Sequence, residues 1–216
     1  YKSGPKNIDN ITRTALAELE KGVPWREAGM IANQRLHGRT AGNGSLLRCA
    51  PIGLYRYRDY HRLIRDSIDG SCITHWNARA GYSAAAINLS ISELVQGRRE
   101  GLMEVVASYI GEANSRVRRV LKHIEKKKQK TLSPSSHAIS TLEAALWCFL
   151  KTESFEEALV SAVNLGGDAD TVGAACGALA GACYGMDGIP RRWLRALEDW
   201  GHIADLAAKI HALAEK

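Results

Sequence analysis

No pair of cysteines in this 216-residue chain is spaced as CxxC. The five that occur, Cys49, Cys72, Cys148, Cys176 and Cys183, sit in apolar stretches. That spacing excludes a disulfide frame and a zinc site, and reads as reduced core thiols of a cytoplasmic protein. No signal peptide and no transmembrane run is visible, so no membrane partner is expected. Internal repeats and domain linkers are also missing, which leaves one domain over residues 1–216. Strand signals are scarce. An extreme charge is absent too: 24% of residues are charged and 45% hydrophobic, ordinary values for a globular protein. The net charge of +6 and pI of about 9.1 favour anionic partners such as nucleotides. They neither establish nor exclude nucleic acid.

The chain does have an acidic, glycine-led stretch, Asn164-Leu165-Gly166-Gly167-Asp168-Ala169-Asp170-Thr171. Asp168, Asp170 and Thr171 place three oxygen-bearing side chains within four residues. Carboxylate and hydroxyl oxygens are the ligands that Mg²⁺ and Mn²⁺ prefer. Gly166 and Gly167 let the backbone turn sharply and approach a ligand. Either Asp could equally be a plain helix N-cap. Two acids and a threonine are more than one cap requires, so a divalent metal site is expected.

Gly173, Gly177, Gly181 and Gly185 then recur every four residues, one ridge along a helix. Each interior glycine costs about 1 kcal/mol relative to alanine. The ridge therefore predicts a central buried helix with another backbone lying very close.

The other segments also read as helices. Asp9 caps one through Ile11, Ala15 and Leu19. Pro24 opens the next, through Ile31. Tyr60–Ile73 is a third. His75 opens a long amphipathic helix through Ile91, ending at Gly97. Met103–Ala113 and His137–Leu150 follow, and Ser154 with Glu157 forms a capping box. A restart at Ile189-Pro190 and a last amphipathic helix with Ile203, Leu206, Ile210 and Leu213 close the chain. Lys126-Lys127-Lys128-Gln129-Lys130 reads as a solvated helix end leading into a loop. The fold class is all-α, with many short-to-medium helices around the Gly173–Gly185 helix.

Gly42-Asn43-Gly44-Ser45-Leu46-Leu47-Arg48 is the second chemical stretch. It could present backbone N–H groups and Ser45 to a phosphate at a helix N-terminus. It could also be an ordinary Gly-Asn-Gly turn with Ser45 as N-cap. The residues alone leave both open.

In combination these motifs resemble the ADP-ribosylglycohydrolases, the family of dinitrogenase reductase activating glycohydrolase and the ADP-ribosyl-acceptor hydrolases. The matching residues are Gly42-Asn43-Gly44-Ser45-Leu46-Leu47-Arg48-Cys49-Ala50-Pro51, Thr74-His75, Thr141-Leu142-Glu143-Ala144-Ala145-Leu146-Trp147, the acidic stretch, and Gly177-Ala178-Leu179-Ala180-Gly181. Their order and spacing fit over nearly the whole chain. The resemblance implies an all-α domain with two Mg²⁺ or Mn²⁺ ions at the base of an ADP-ribose cleft. It implies cleavage of the bond between C1″ of ADP-ribose and its acceptor. Asp168 and Asp170 would be catalytic, and with Thr171 would ligate metal. Gly42, Asn43, Gly44, Ser45 and Arg48 would hold the pyrophosphate and distal ribose. His75, Gly166 and Gly167 would line the same cleft.

Two departures bear on this. The family's N-terminal Thr-Asp-Asp metal motif does not occur, and the sequence starts about where that segment would end. Half of the first metal shell is then expected to be missing, with this chain the C-terminal portion of the domain. Ser136-His137 stands where the family often has a Gly-aromatic pair that packs on the nucleoside. Two function classes follow. One is an ADP-ribosyl hydrolase acting on modified protein or another acceptor, completed by the missing segment in the same or a separate chain. The other is a non-catalytic module that binds ADP-ribose or a protein.

Overall fold

The computed structural model describes residues 8–215. Among them are twelve α-helices and no strand; a single isolated bridge joins Gly42 to His137. The helices are α1 (Asn10–Glu20), α2 (Trp25–Arg35), α3 (Gly44–Tyr55), α4 (Tyr60–Cys72), α5 (Ala78–Val95), α6 (Leu102–Ile110), α7 (Ser115–His123), α8 (Ala138–Leu150), α9 (Phe155–Asn164), α10 (Ala169–Tyr184), α11 (Arg191–Ala196) and α12 (Trp200–Ala214). Local chemistry sets many of the ends. Asp9 accepts from the Thr12 N–H at 2.8 Å, and Gly22 leaves α1 at φ +85°. Ser154 accepts from the Glu157 N–H at 3.2 Å. The returning Glu157 carboxylate lands on the Glu153 N–H, one residue earlier than a standard capping box.

The centre of the molecule is α5, not α10. Fourteen of its 18 residues are buried. It packs against α3, α4, α6, α8 and α10, so it has no solvent face. Alanine and serine at Ala84, Ala85, Ala86, Ser90 and Ser92 let neighbours approach on all sides. Some of its buried polar groups are answered: Ser90 donates to the Ala86 carbonyl at 2.9 Å, and Asn88 Nδ2 donates to Ser67 Oγ of α4 at 2.8 Å, whereas Ser83 Oγ and Asn88 Oδ1 have no hydrogen-bond partner among the described residues. The helix starts at Ala78 with Asn77 as cap, not at His75.

The glycine ridge of α10 also differs from expectation. It meets side chains of the antiparallel α9, not a backbone. A Cβ on Gly173, Gly177 or Gly181 would lie 3.3, 3.3 and 3.9 Å from Val163 Cγ2, Leu159 Cδ1 and Phe155 Cε2. Each step of four along α10 meets a step of four back along α9, a bulky ridge in a small-residue groove. Gly185 lies outside the ridge: at φ +66° it ends the helix. Backbone contact occurs elsewhere. A Cβ on Gly53 would lie 2.9 Å from the Asn88 carbonyl oxygen of α5, and Gly29 of α2 abuts the Cys72 carbonyl.

A pair of substitutions distinguishes the two situations. Gly177→Ala is expected to shift stability by under about 1 kcal/mol, because helix propensity improves and the Leu159 tip can yield. Gly53→Ala is expected to destabilise by about 1–3 kcal/mol, because backbone cannot yield. Urea midpoints measure both. A larger loss at Gly177 would refute the assignment.

The last helix packs on α3, and just beyond the ends of the two helices Arg58 and Glu215 pair at 3.1 Å. None of its residues is buried, and Ile203, Leu206 and Leu213 are exposed. No helix among the described residues is long and apolar enough to cross a membrane.

Candidate active site

Asn43 joins three parts of the chain. It stands at the N-cap of α3 but makes no capping bond with its side chain. Its amide instead donates to Asp168 Oδ2 at 2.7 Å and to Thr141 Oγ1 at 2.8 Å, with the Ser135 carbonyl at 3.4 Å. The backbone repeats the tie. The Asn43 N–H donates to the Ser136 carbonyl at 3.0 Å, and the Ala138 N–H to the Ala41 carbonyl at 2.9 Å. Thr141 lies in the first turn of α8, and Asp168 is the N-cap residue of α10. The amino-terminal ends of α3, α8 and α10 therefore converge on one asparagine. No side chain caps α3 or α10 at these positions. The end of α3 thus keeps N–H groups and a positive dipole end free for an anion.

The acidic turn is shaped by its glycines. Gly166 and Gly167 both take positive φ, +74° and +63°. Gly167 is also sterically required: a Cβ there would lie 2.5 Å from the Pro134 carbonyl oxygen. This contact seats the turn beneath the 134–137 loop that carries Ser135 and Ser136.

Asp168 is half-buried, Asp170 exposed and Thr171 buried. Asp170 accepts from the Thr171 N–H at 2.9 Å, so it does part of the capping that Asp168 does not. Burial raises the Asp168 pKa, but hydrogen bonding by the Asn43 amide and the Thr171 hydroxyl outweighs it and holds the group below the usual carboxylate range. The acid is thus kept ionised. Two carboxylates and a hydroxyl in one turn suit a hard cation and form one side of its shell. Among the described residues, no group of three or more His, Cys, Asp or Glu stands together to complete it.

Ser45, Arg48 and His75 take different positions. Ser45 is fully buried, and its hydroxyl accepts from Ser71 Oγ at 2.8 Å, so it packs α3 on α4. It lies inside the first turn of α3; Asn43, not Ser45, is the cap residue. Arg48 donates to the Gly70 carbonyl and Thr74 Oγ1, both at 2.8 Å, and so closes the end of α4. Thr74 Oγ1 lies 2.7 Å from His75 Nδ1. Thr74 Oγ1, which accepts from Arg48, thus ties Arg48 to the His75 ring. Nε2 has no hydrogen-bond partner. The fully buried ring lies under the loop: a Cβ on Gly42 would be 3.0 Å from Nε2, and one on Gly44 3.2 Å from Cε1. Burial pushes His75 down to about 4, with Asp9 opposing and Arg48 adding, so the ring is neutral. His75 therefore reaches the loop from beneath. Gly42 and Gly44 are needed because any side chain there would strike the ring.

The sequence did not single out Ser135 or Pro134 for the site, and it gave Asp9 only a capping role. Asn43 and Asp168 are 125 residues apart, so no local spacing signals their contact.

The ADP-ribosylglycohydrolase family model matches residues 1–216. The chain belongs to the ADP-ribosylglycohydrolase family. It is 31% identical over 210 residues to the ADP-ribosylarginine hydrolase Tri1 of Serratia proteamaculans, covering 96% of this chain and 55% of that one. It is 32% identical to the ADP-ribosyl-[dinitrogen reductase] glycohydrolase of Rhodospirillum rubrum, covering 91% and 62%. A solved structure, an ADP-ribosylglycohydrolase-related protein complex, superposes with a TM-score of 0.79 at 33% identity, over 95% of this chain and 69% of that one. The chain spans 55% and 53% of the length of the two Tri1 relatives it matches.

Proposed function

We propose that this protein is a metal-dependent hydrolase that removes ADP-ribose from a modified protein, cleaving the glycosidic bond at C1″. The observation that carries the reading is the 2.7 Å hydrogen bond from Asn43 to Asp168. It puts an anion-binding loop and an acidic turn in one place, where a diphosphate and its terminal ribose need them. Gly42, Asn43 and Gly44 with the open end of α3 bind the diphosphate, and neutral His75 supports the loop from below. Gly166 and Gly167 shape the floor. Asp168, Asp170 and Thr171 are the residues that would hold Mg²⁺ or Mn²⁺. Such an ion supplies positive charge at the ribose hydroxyls and lowers the pKa of bound water. Asp168 and Asp170 also place negative charge beside a sugar that becomes cationic as its bond breaks.

The relatives' printed names make an arginine-linked ADP-ribose the first acceptor to test. The domain runs over residues 1–216, and the rest of the metal shell comes from further chain, linked or separate. Five free cysteines support a reducing, cytoplasmic setting. The absence of a third acid beside Asp168 and Asp170 among the described residues favours a second reading, an ADP-ribose-binding or protein-interaction module without catalysis.

Release of free ADP-ribose from arginine-modified protein by the full-length protein decides between them. EDTA is expected to abolish release and Mn²⁺ or Mg²⁺ to restore it. Residues 1–216 alone are expected to bind ADP-ribose weakly and to release little. Absence of release from arginine, serine and nucleic-acid acceptors alike would establish the non-catalytic module.

A further inference from the structure

The protein's positive charge is concentrated in one place. Residues 115–130 hold eight Lys or Arg against one acid, Glu125. That surplus of seven exceeds the +6 of the whole chain, so the remainder is close to neutral. The structure sets these cations along α7 and the two short 3₁₀ turns after it. Arg118 is paired with Glu112 and Lys127 with Glu143. Arg116, Arg119, Lys122, Lys126, Lys128 and Lys130 are exposed and have no ion-pair partner among the described residues.

Arg116, Arg119, His123 and Lys126 fall three, seven and ten positions along, one stripe of the helix surface. Beside it lies a shallow depression of about 390 Å³, lined by Arg119, His123, Lys126, Lys127 and others.

We propose that this stripe is a docking surface for the phosphate backbone of nucleic acid, read without sequence preference. Protein partners need apolar or aromatic anchors at the interface centre. No large hydrophobic residue between positions 110 and 159 is exposed, so nothing here would anchor a protein. Base stacking would favour large aromatic rings, and residues 110–130 contain no Phe, Tyr or Trp. What is left is a row of unpaired cations, which suffices for phosphates. From Arg116 to Lys126 the row runs about 16 Å. A strand rising 3.4 Å per phosphate presents four or five over that length. The proposal concerns binding and stands whether or not the hydrolase reading holds.

The test is fluorescence anisotropy of the full-length protein with a labelled duplex of about 30 base pairs at 50 and 200 mM salt. With about four phosphates neutralised, affinity is expected to fall on the order of a hundredfold between those conditions. The variant Arg119→Gln/Lys126→Gln/Lys128→Gln/Lys130→Gln is expected to bind at least about tenfold more weakly at 50 mM. A control with the same charge removed elsewhere, Arg13→Gln/Arg39→Gln/Arg191→Gln/Lys209→Gln, is expected to change less than about threefold. Circular dichroism checks that both stay folded. Equal losses in the two variants would mean diffuse attraction and overturn the proposal. So would absence of duplex binding at 50 mM, or tighter binding of poly-glutamate than of duplex, which would assign the stripe to an acidic protein.

Discussion

Asp168→Ala is expected to lower kcat for ADP-ribose release on the order of a hundredfold to a thousandfold, about 2.7–4 kcal/mol of lost transition-state stabilisation. The fold should survive. Asp168 caps no helix with its side chain, and Asn43 keeps Thr141 and Ser135 as partners. Stability is therefore expected to drop by no more than about 1–2 kcal/mol. The conservative variant Asp168→Asn separates two explanations. Its amide oxygen can still accept from Asn43, so the tie between loop and turn is retained while the charge is lost. If charge is what the site uses, Asp168→Asn should lose nearly as much kcat as alanine. Calorimetry with Mn²⁺ should show weakened binding in both. An asparagine variant with wild-type kcat would mean that Asp168 only fastens the loop.

That double role explains which parts of the site were legible in the sequence. Asp168, Asp170 and Thr171 announce themselves because ligand chemistry is local: three oxygens fall within one turn. Gly42-Asn43-Gly44 is also local, as a turn before a helix. Their meeting is not. It depends on α8, whose first turn supplies Thr141, and on the loop before it, whose Ser135 and Ser136 carbonyls accept from Asn43. Ser45 and Arg48 were assigned to ligand binding from their place in the motif. Helix geometry turns both toward α4, where Ser71, Gly70 and Thr74 hold them.

The fold was legible to a similar depth. Caps and periodicity located most helices, because Asp9 and Ser154 act on their own neighbours; the Asn77 cap of α5 was hidden behind His75, two residues earlier. Which helix lies at the centre was not legible from the ridge. Glycines every four residues signal a groove, but they do not say what fills it. In α10 the filling is Val163, Leu159 and Phe155. In α5 the small residues are alanine and serine, a weaker signal, yet neighbours approach from every side. The single glycines with close backbone contact, Gly29 and Gly53, belong to no repeat and so drew no notice.

Gly167→Ala tests whether the acidic turn and the 134–137 loop are one mechanical unit. At φ +63° an alanine is strained by about 1–2 kcal/mol. Its Cβ would also stand 2.5 Å from the Pro134 carbonyl oxygen, so backbone must move, at a further cost of about 1–3 kcal/mol. A total loss of about 2–5 kcal/mol is expected in urea unfolding. Gly166→Ala is the matched comparison. Its φ of +74° is equally unfavourable, but nothing lies within 4 Å of the new Cβ. Only the strain remains, about 1–2 kcal/mol. The difference between the two midpoints isolates the Pro134 contact. Displacing Pro134 would carry Ser135 and Ser136 away from Asn43, so Gly167→Ala should also weaken ADP-ribose binding by more than Gly166→Ala does. Coincident midpoints and equal affinities in the two variants would show that the turn moves independently of the loop. Asn43 alone would then hold the two halves of the site together.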